Sequence, residues 1–325
     1  MSDAVVRAVV DALRERGAFD GVAVDHVTVG DAAVFVELRG DGDERNGTDW
    51  NEADRNETNR NGADVPRAGL AHRPPGPAPA VEGVDIETLV AWALGEAPTD
   101  GDAAVARAVG VATLNALSAP FVDWRDGDPM ERLSADVETI ATVGLFRPAF
   151  RKFDAVDVRV VERDPVDVAE VETPPGVTVS VVPPADTAVA MAGADVVFVT
   201  GSTLVYGGLG EALAAAPAEA TVVVVGASAS LLPDPLFAAG ADVVAGAAVD
   251  DPVRVRAAVE AGACGTDLHD AGVRKGYVAA APTAGIDLTP AGHRAGDDHD
   301  DHDDHIDRDD RDGGAVADTT DTPDP

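Results

Sequence analysis

Asp195–Thr200 reads DVVFVT and Thr221–Gly226 reads TVVVVG, two short runs whose interiors are entirely apolar. A strand with one wet face alternates apolar and polar residues, whereas a run apolar on both faces belongs in a parallel sheet covered on both sides. Working outward, comparable runs recur at Glu138–Gly144, Val156–Glu162, Val177–Val182 and Asp242–Ala245. Helix-compatible segments such as Pro148–Phe153, Asp186–Ala192 and Leu209–Ala216 lie between most of them. Strands alternating with helical segments over residues 137–291 predict an α/β fold with a doubly wound, Rossmann-like parallel sheet.

The first 120 residues read differently. Val5, Val6, Val9, Val10 and Leu13 fall on one face of a helix over Asp3–Arg16, with Gly17 as its stop. Val22–Val29 and Ala32–Leu38 flank Gly30-Asp31, a hairpin signal, and Ala68–Ala71 supplies a further strand. Ile86–Leu94 and Ala103–Leu117 are helical, the second nearly all small or aliphatic. This is a small α+β unit over residues 1–120, joined to the α/β unit by a linker at 121–136. Residues 41–67 are Asn, Asp, Arg and Gly with almost no apolar partner, and 292–325 are similar. Such compositions bury too little surface to offset ordering entropy, so both are expected to be disordered.

In a doubly wound sheet, ligands bind beyond the carboxyl ends of the strands, where strand order reverses. Gly144 follows the first strand of the α/β unit, Glu162 ends the second, Thr200-Gly201-Ser202-Thr203 follow the fourth, and Gly226-Ala227-Ser228 follow the fifth. Glycine lets a ligand approach the backbone, and hydroxyls donate to anionic or carbonyl oxygens. The same Ser and Thr residues are also ordinary helix caps, and that reading stays open. Glu162 stands 18 residues after Gly144, near the offset at which dinucleotide proteins place the acid that holds a ribose hydroxyl. Gly144 is followed by Leu-Phe-Arg-Pro, so the G-x-G-x-x-G fingerprint is missing and NAD is not expected.

The chain of 325 residues carries 59 acids against 24 bases, a net charge of -35. That charge repels phosphate backbones, so no nucleic-acid partner is expected. Of the acids 43 are Asp, and of the bases only Lys152 and Lys275 are not Arg. This resembles a halophile's composition: in molar salt the Debye length falls to about 3 Å and a dense acidic surface stops repelling itself strongly. No apolar run approaches the ~18 residues of a membrane span, and no basic-then-apolar leader opens the chain, so a cytoplasmic location without a membrane partner is expected. Cys264 is the single cysteine and cannot close an internal disulfide. A homo-oligomer is left open.

Several stretches, taken in order and spacing, resemble the family described as Putative heavy-metal chelation, a domain of unknown function. They are AVGVATLNALSAP (Ala108–Pro120), VVFVTGSTLVYGGL (Val196–Leu209), VVVVGASASLLPD (Val222–Asp234), ADVVAGAAV (Ala241–Val249) and GVRKGYV (Gly272–Val278). The resemblance implies a small enolase-N-terminal-like domain joined to a Rossmann-like one, with a ligand site at their junction. Carried over position by position, it points to Asn115, Gly144, Glu162, Thr200, Gly201, Ser202, Thr203, Gly226, Ser228 and Lys275. Tyr206 stands where the family usually shows Asn, and Ala227 where it often shows Pro. Asn115, in an aliphatic helix, reads equally as a ligand contact or as an internal strut. Lys275 is noted because a compact ammonium can act as charge or base where guanidinium cannot.

Soft metals want thiolate or imidazole. Cys264, Asp267 and His269 form one loose candidate, C-x-x-D-x-H, and His299, His302 and His305 recur every third residue of the acidic tail as another. Three readings compete. The first is binding of a small anionic or cofactor-like molecule, or of a divalent transition metal in complex, between the two units. The second is transferase or lyase chemistry on a nucleotide-like or pterin-like substrate, with His72 as acid or base. The third is a metal buffer working through the tail.

Overall fold

The computed structural model describes residues 2–40 and 65–288, all within one compact unit. The expected disordered insertion lies almost wholly outside the described residues, and so does the tail with His299, His302 and His305.

Helix α1 (Ser2–Glu15) buries Val5, Val6, Val9, Val10 and Leu13, the stripe its periodicity predicts. Strands β1 (Val22–Val29), β2 (Ala33–Gly40) and β3 (Ala68–His72) form an antiparallel sheet in the order β1-β2-β3. Helix α2 (Ile86–Ala93) starts at Asp85, whose carboxylate accepts the Thr88 N–H. Helix α3 (Ala103–Ser118) starts at Asp102, which accepts from Ala104 and Val105. Segment Ala103–Phe121 is long and apolar enough to cross a membrane, contrary to the sequence expectation that no stretch would be. It is 72% buried inside the protein and is the core helix of the unit.

The second sheet has eight strands: β4 (Arg125–Asp126), β5 (Thr139–Val143), β6 (Asp157–Val161), β7 (Thr178–Val182), β8 (Val196–Thr200), β9 (Thr221–Val225), β10 (Val243–Val249) and β11 (Val273–Ala279). Their order is β4-β11-β10-β9-β8-β5-β6-β7. Strands β5 to β10 are mutually parallel, while β11 runs antiparallel to β10 and β4 antiparallel to β11. From β5 the chain moves outward to β6 and β7, returns to β8 on the other side of β5, and continues to β9 and β10. Strand order therefore reverses between β5 and β8, the doubly wound arrangement expected from the sequence.

Alternate residues of the central strands face two different cores. Val197, Val199, Val222 and Val224 share one with α1, α3 and Val34 and Val36 of β2. Ile140, Val158, Phe198 and Val223 share the other with Met130, Phe150 and Phe153. The double coverage explains why DVVFVT and TVVVVG carry no polar residue at interior positions. The Arg147–Lys152 segment between β5 and β6 is a 3-10 turn. It lays Phe150 and Phe153 against the sheet, with Phe153 stacked on Phe198 at 6.3 Å between ring centroids.

Candidate functional site

A cleft of about 1050 Å³ opens at the carboxyl ends of β5, β6, β8 and β9, over the reversal point. The end of β3 and the β1–β2 turn form its opposite wall through His72, Arg73 and Asp31, and Cys264 and Leu268 close one side. Of the ten ligand residues expected from the sequence, Gly144, Glu162, Thr200, Ser202, Thr203, Gly226 and Ser228 line it.

Each is placed by a specific local demand. Gly144 has φ of +96°, and a Cβ there would sit 2.9 Å from Thr200 Cγ2. Only glycine lets β5 and β8 end side by side in this way. Glu162 does not present a free carboxylate. Its Oε2 accepts the Leu145 N–H at 3.0 Å and its Oε1 accepts the Arg163 N–H at 2.8 Å, so it staples the β5 loop to the end of β6. The hydroxyls after β8 are also partly engaged. Thr203 Oγ1 donates to the Thr200 carbonyl at 2.6 Å, and Thr200 Oγ1 accepts the Ser202 N–H at 3.3 Å. These bonds close the turn itself, and no side chain caps the short helix that follows at Thr203–Tyr206, while the same residues face the cleft. Ser228 Oγ accepts the backbone N–H of His72 at 2.8 Å and so joins β3 to the turn after β9.

Three expected residues lie elsewhere. Gly201 does not line the cleft; its N–H donates to the Val225 carbonyl at 2.7 Å. Asn115 is buried in α3, and its amide donates to the carbonyls of Leu70 at 2.7 Å and Ala227 at 3.1 Å. It is the strut of the two readings, holding β3 to the β9 turn behind the cleft. Lys275, on β11, is directed to Asp128 at 3.0 Å and takes no part in the cleft. The reason is lateral: the start of β11 is level with the carboxyl end of β10, Lys275 lying opposite Ala247, but β11 is three strands away from β8 and the reversal point.

The candidate metal cluster does not assemble. Cys264 is exposed and lines the cleft, but Asp267 opens a short helix and His269 Nδ1 lies 2.8 Å from the Val273 carbonyl. Among the described residues no group of three or more His, Cys, Asp or Glu is placed to hold a metal ion.

The cleft instead gathers residues whose association the sequence did not signal. His72 Nε2 and Tyr206 Oη are 3.1 Å apart, and the Arg163 guanidinium carbon sits 3.8 Å from the centroid of the Tyr206 ring. Burial lowers the His72 pKa, and the Arg163 charge lowers it further, so the imidazole is neutral at pH 7 although part of it stays open to the cleft. Arg73 follows His72, and its Nη2 donates to the Gly76 carbonyl at 2.6 Å. These residues come from three separate segments, and neither spacing nor composition ties Arg163 to Tyr206 before the chain is folded.

Comparison with known proteins bears on this arrangement. Residues 128–278 match the model of the DUF364 family, described as Putative heavy-metal chelation. A protein of unknown function from that family in Pyrococcus horikoshii has a similar structure, with a TM-score of 0.62 at 16% identity over 86% of this chain and 100% of that one. Another from Desulfitobacterium hafniense gives 0.54 at 16% identity over 83% and 98%. At these identities the likeness is one of fold. No curated protein matched.

Proposed function

We propose that the cleft binds a small anionic or cofactor-like molecule between the eight-stranded sheet and the end of β3. One observation carries this reading: four parallel strand tips at the reversal point and a fifth from the other sheet surround a single cavity. Its size is at the upper end of the ~300–1,000 Å³ typical of small-molecule sites. Thr200, Ser202, Gly226 and Ser228 supply small polar walls, and His72, Arg73 and Arg163 supply directional donors.

The family description suggests heavy-metal chelation, and the side chains test that idea directly. A soft cation needs several thiolate or imidazole donors at one point, and the described part of the cleft offers Cys264 and His72 without a third partner. These residues do not fit a bare ion. In the chelation reading the metal is therefore cargo, carried into the cleft by an organic ligand.

A melting screen of the full chain against nucleotides, pterins, organic acids and their metal complexes tests the proposal. A saturable rise in melting temperature is expected for at least one class, and Ser202→Trp, which fills the cleft, should abolish it. A stabilising ligand that the Trp variant binds undiminished would place the site elsewhere.

The pairing of a neutral His72 with Tyr206 favours a second reading, acid–base chemistry on the bound molecule as in a transferase or lyase. Turnover lost in His72→Gln with ligand affinity retained would establish it.

A further inference from the structure

We infer that Arg73 and Arg163 form an oxyanion subsite within the cleft, taking one carboxylate or monophosphate group of a small ligand. This rests on the cleft-binding reading and assigns the ligand's chemistry. The argument starts from charge. In a chain of net charge -35, several arginines meet carboxylates: Arg16 meets Asp234 at 2.7 Å, Arg159 meets Asp157 at 3.0 Å, and Arg256 meets Glu37 at 3.3 Å. Arg73 and Arg163 both line the cleft, and neither is ion-paired with a described residue.

Arg73 is fixed through Nη2 on the Gly76 carbonyl, while its Nε–H is buried with no hydrogen-bond partner among the described residues. A buried guanidinium N–H left without an acceptor is unfavourable unless something accepts it. The Arg163 guanidinium carbon sits over the Tyr206 ring, and Tyr206 Oη is itself 3.1 Å from His72 Nε2. A guanidinium placed over a ring keeps N–H groups available, and its N–H edge matches the paired oxygens of a carboxylate or phosphate.

The acids around the cleft limit the ligand further. Both oxygens of Glu162 are engaged by backbone N–H groups, but Asp31, Asp164 and Glu211 also line the cavity. They repel a polyanion. The matching ligand carries one compact oxyanion on an otherwise neutral or donor-rich body.

The test is calorimetric titration of the full chain, at fixed KCl concentration and pH, with phenyl phosphate and benzoate as probes and benzamide as the uncharged control. Saturable binding of at least one oxyanion and none of benzamide is expected. Arg163→Gln and Arg73→Gln should each weaken it about tenfold or more, the scale of a lost charge-assisted bond. Arg14→Gln should leave it unchanged, because Arg14 is engaged with Glu87 on helix α2. Should Arg73→Gln fail to fold, Arg163→Gln decides the matter, since Arg163 is exposed. Wild-type protein that ignores both oxyanions, or an Arg163→Gln variant that binds them as tightly as wild type, overturns the subsite. A ligand of another class, still lost in Ser202→Trp, would then leave the cleft reading standing by itself.

Discussion

Lys275 Nζ lies 3.0 Å from Asp128 Oδ2, the oxygen that also accepts from Lys152 at 2.6 Å. The two lysines of the chain therefore converge on one carboxylate, and Lys152 reaches Glu131 at 2.8 Å as well. The clamp joins the Pro129–Glu131 turn, the Arg147–Lys152 turn and β11. A small ammonium with donors in several directions suits a shared oxygen better than a planar guanidinium does. This gives the two surviving lysines a structural reason in a chain that otherwise uses arginine.

Burial alone would raise the Asp128 carboxyl, but the hydrogen bonds from Lys152 and Lys275 outweigh it and hold its pKa below the ordinary value. A carboxylate whose pKa is depressed in the folded state adds stability above about pH 4, its unfolded value, and that stability is lost as pH falls through the lowered one. Asp128→Asn should therefore cost roughly 2 kcal/mol at neutral pH, and less as pH drops through that window. Urea unfolding of both proteins at several pH values measures the difference. An Asn variant equally destabilised at every pH would show that the clamp acts through shape alone.

Asn115 supports a second prediction. Its side-chain amide donates to the Leu70 carbonyl, which among the described residues has no other side-chain donor, and it also reaches Ala227. Asn115→Ala should destabilise the fold by about 2–3 kcal/mol, because the Leu70 carbonyl loses its side-chain donor and a cavity is left, while the Ala227 carbonyl keeps Ser230 Oγ at 2.8 Å. Asn115→Asp should be worse above pH 5, since a carboxylate has no proton to offer two carbonyl oxygens. Chemical denaturation of both variants at pH 7 checks the ranking. Equal stability would remove the strut.

Much of this architecture was legible in the sequence, because burial on both faces leaves an unambiguous mark. DVVFVT and TVVVVG became β8 and β9, and α1, the β1–β2 hairpin, β3, α2 and α3 lie within a residue or two of their expected bounds. Strand β11 was not legible as a strand. VRKGYVA interrupts its apolar residues with Arg, Lys and Gly, and its pairing partner Gly246 lies opposite Gly276. Trp124 occupies the space these two glycines leave, with added Cβ atoms meeting it at 2.7 Å. The cleft was half legible. The residues that end strands followed from the topology rule, but Arg73, Arg163 and Tyr206 work through contacts between distant segments, which no local pattern encodes.

His72 gives a pH prediction that is independent of any ligand. Burial first, and Arg163 second, lower its pKa below that of free histidine. The unfolded chain therefore takes up the proton before the folded one does. Stability should fall as pH drops from about 6.5, the unfolded value, to the lowered folded value, and this contribution should stay constant below it. Arg163→Gln should move the imidazole titration back toward 6.5, as followed by NMR of the ring protons. A titration unmoved by that substitution would separate His72 from the Arg163 charge.

The acidic tail can be tested without reference to the cleft. If His299, His302 and His305 collect metal weakly, removing residues 292–325 should lower the nickel stoichiometry measured by calorimetry. The melting response to cleft ligands should survive the deletion. Unchanged nickel binding would leave the tail with a solvating role only.

The last prediction concerns salt. The tail's 13 Asp and three Arg account for -10 of the net -35, so -25 remains on the rest of the chain. Charge at that density repels itself across tens of ångströms at low ionic strength, where the Debye length is about 30 Å at 0.01 M, and hardly at all where it is about 3 Å at 1 M. Folding compacts the charge, so the folded state gains more from screening than the unfolded state does. The melting temperature should rise steeply from millimolar to molar KCl and should do so with the tail removed. A melting temperature independent of KCl in the shortened protein would mean that local ion pairs such as Arg274 with Asp250 and Arg256 with Glu37, rather than bulk screening, hold the acidic surface together.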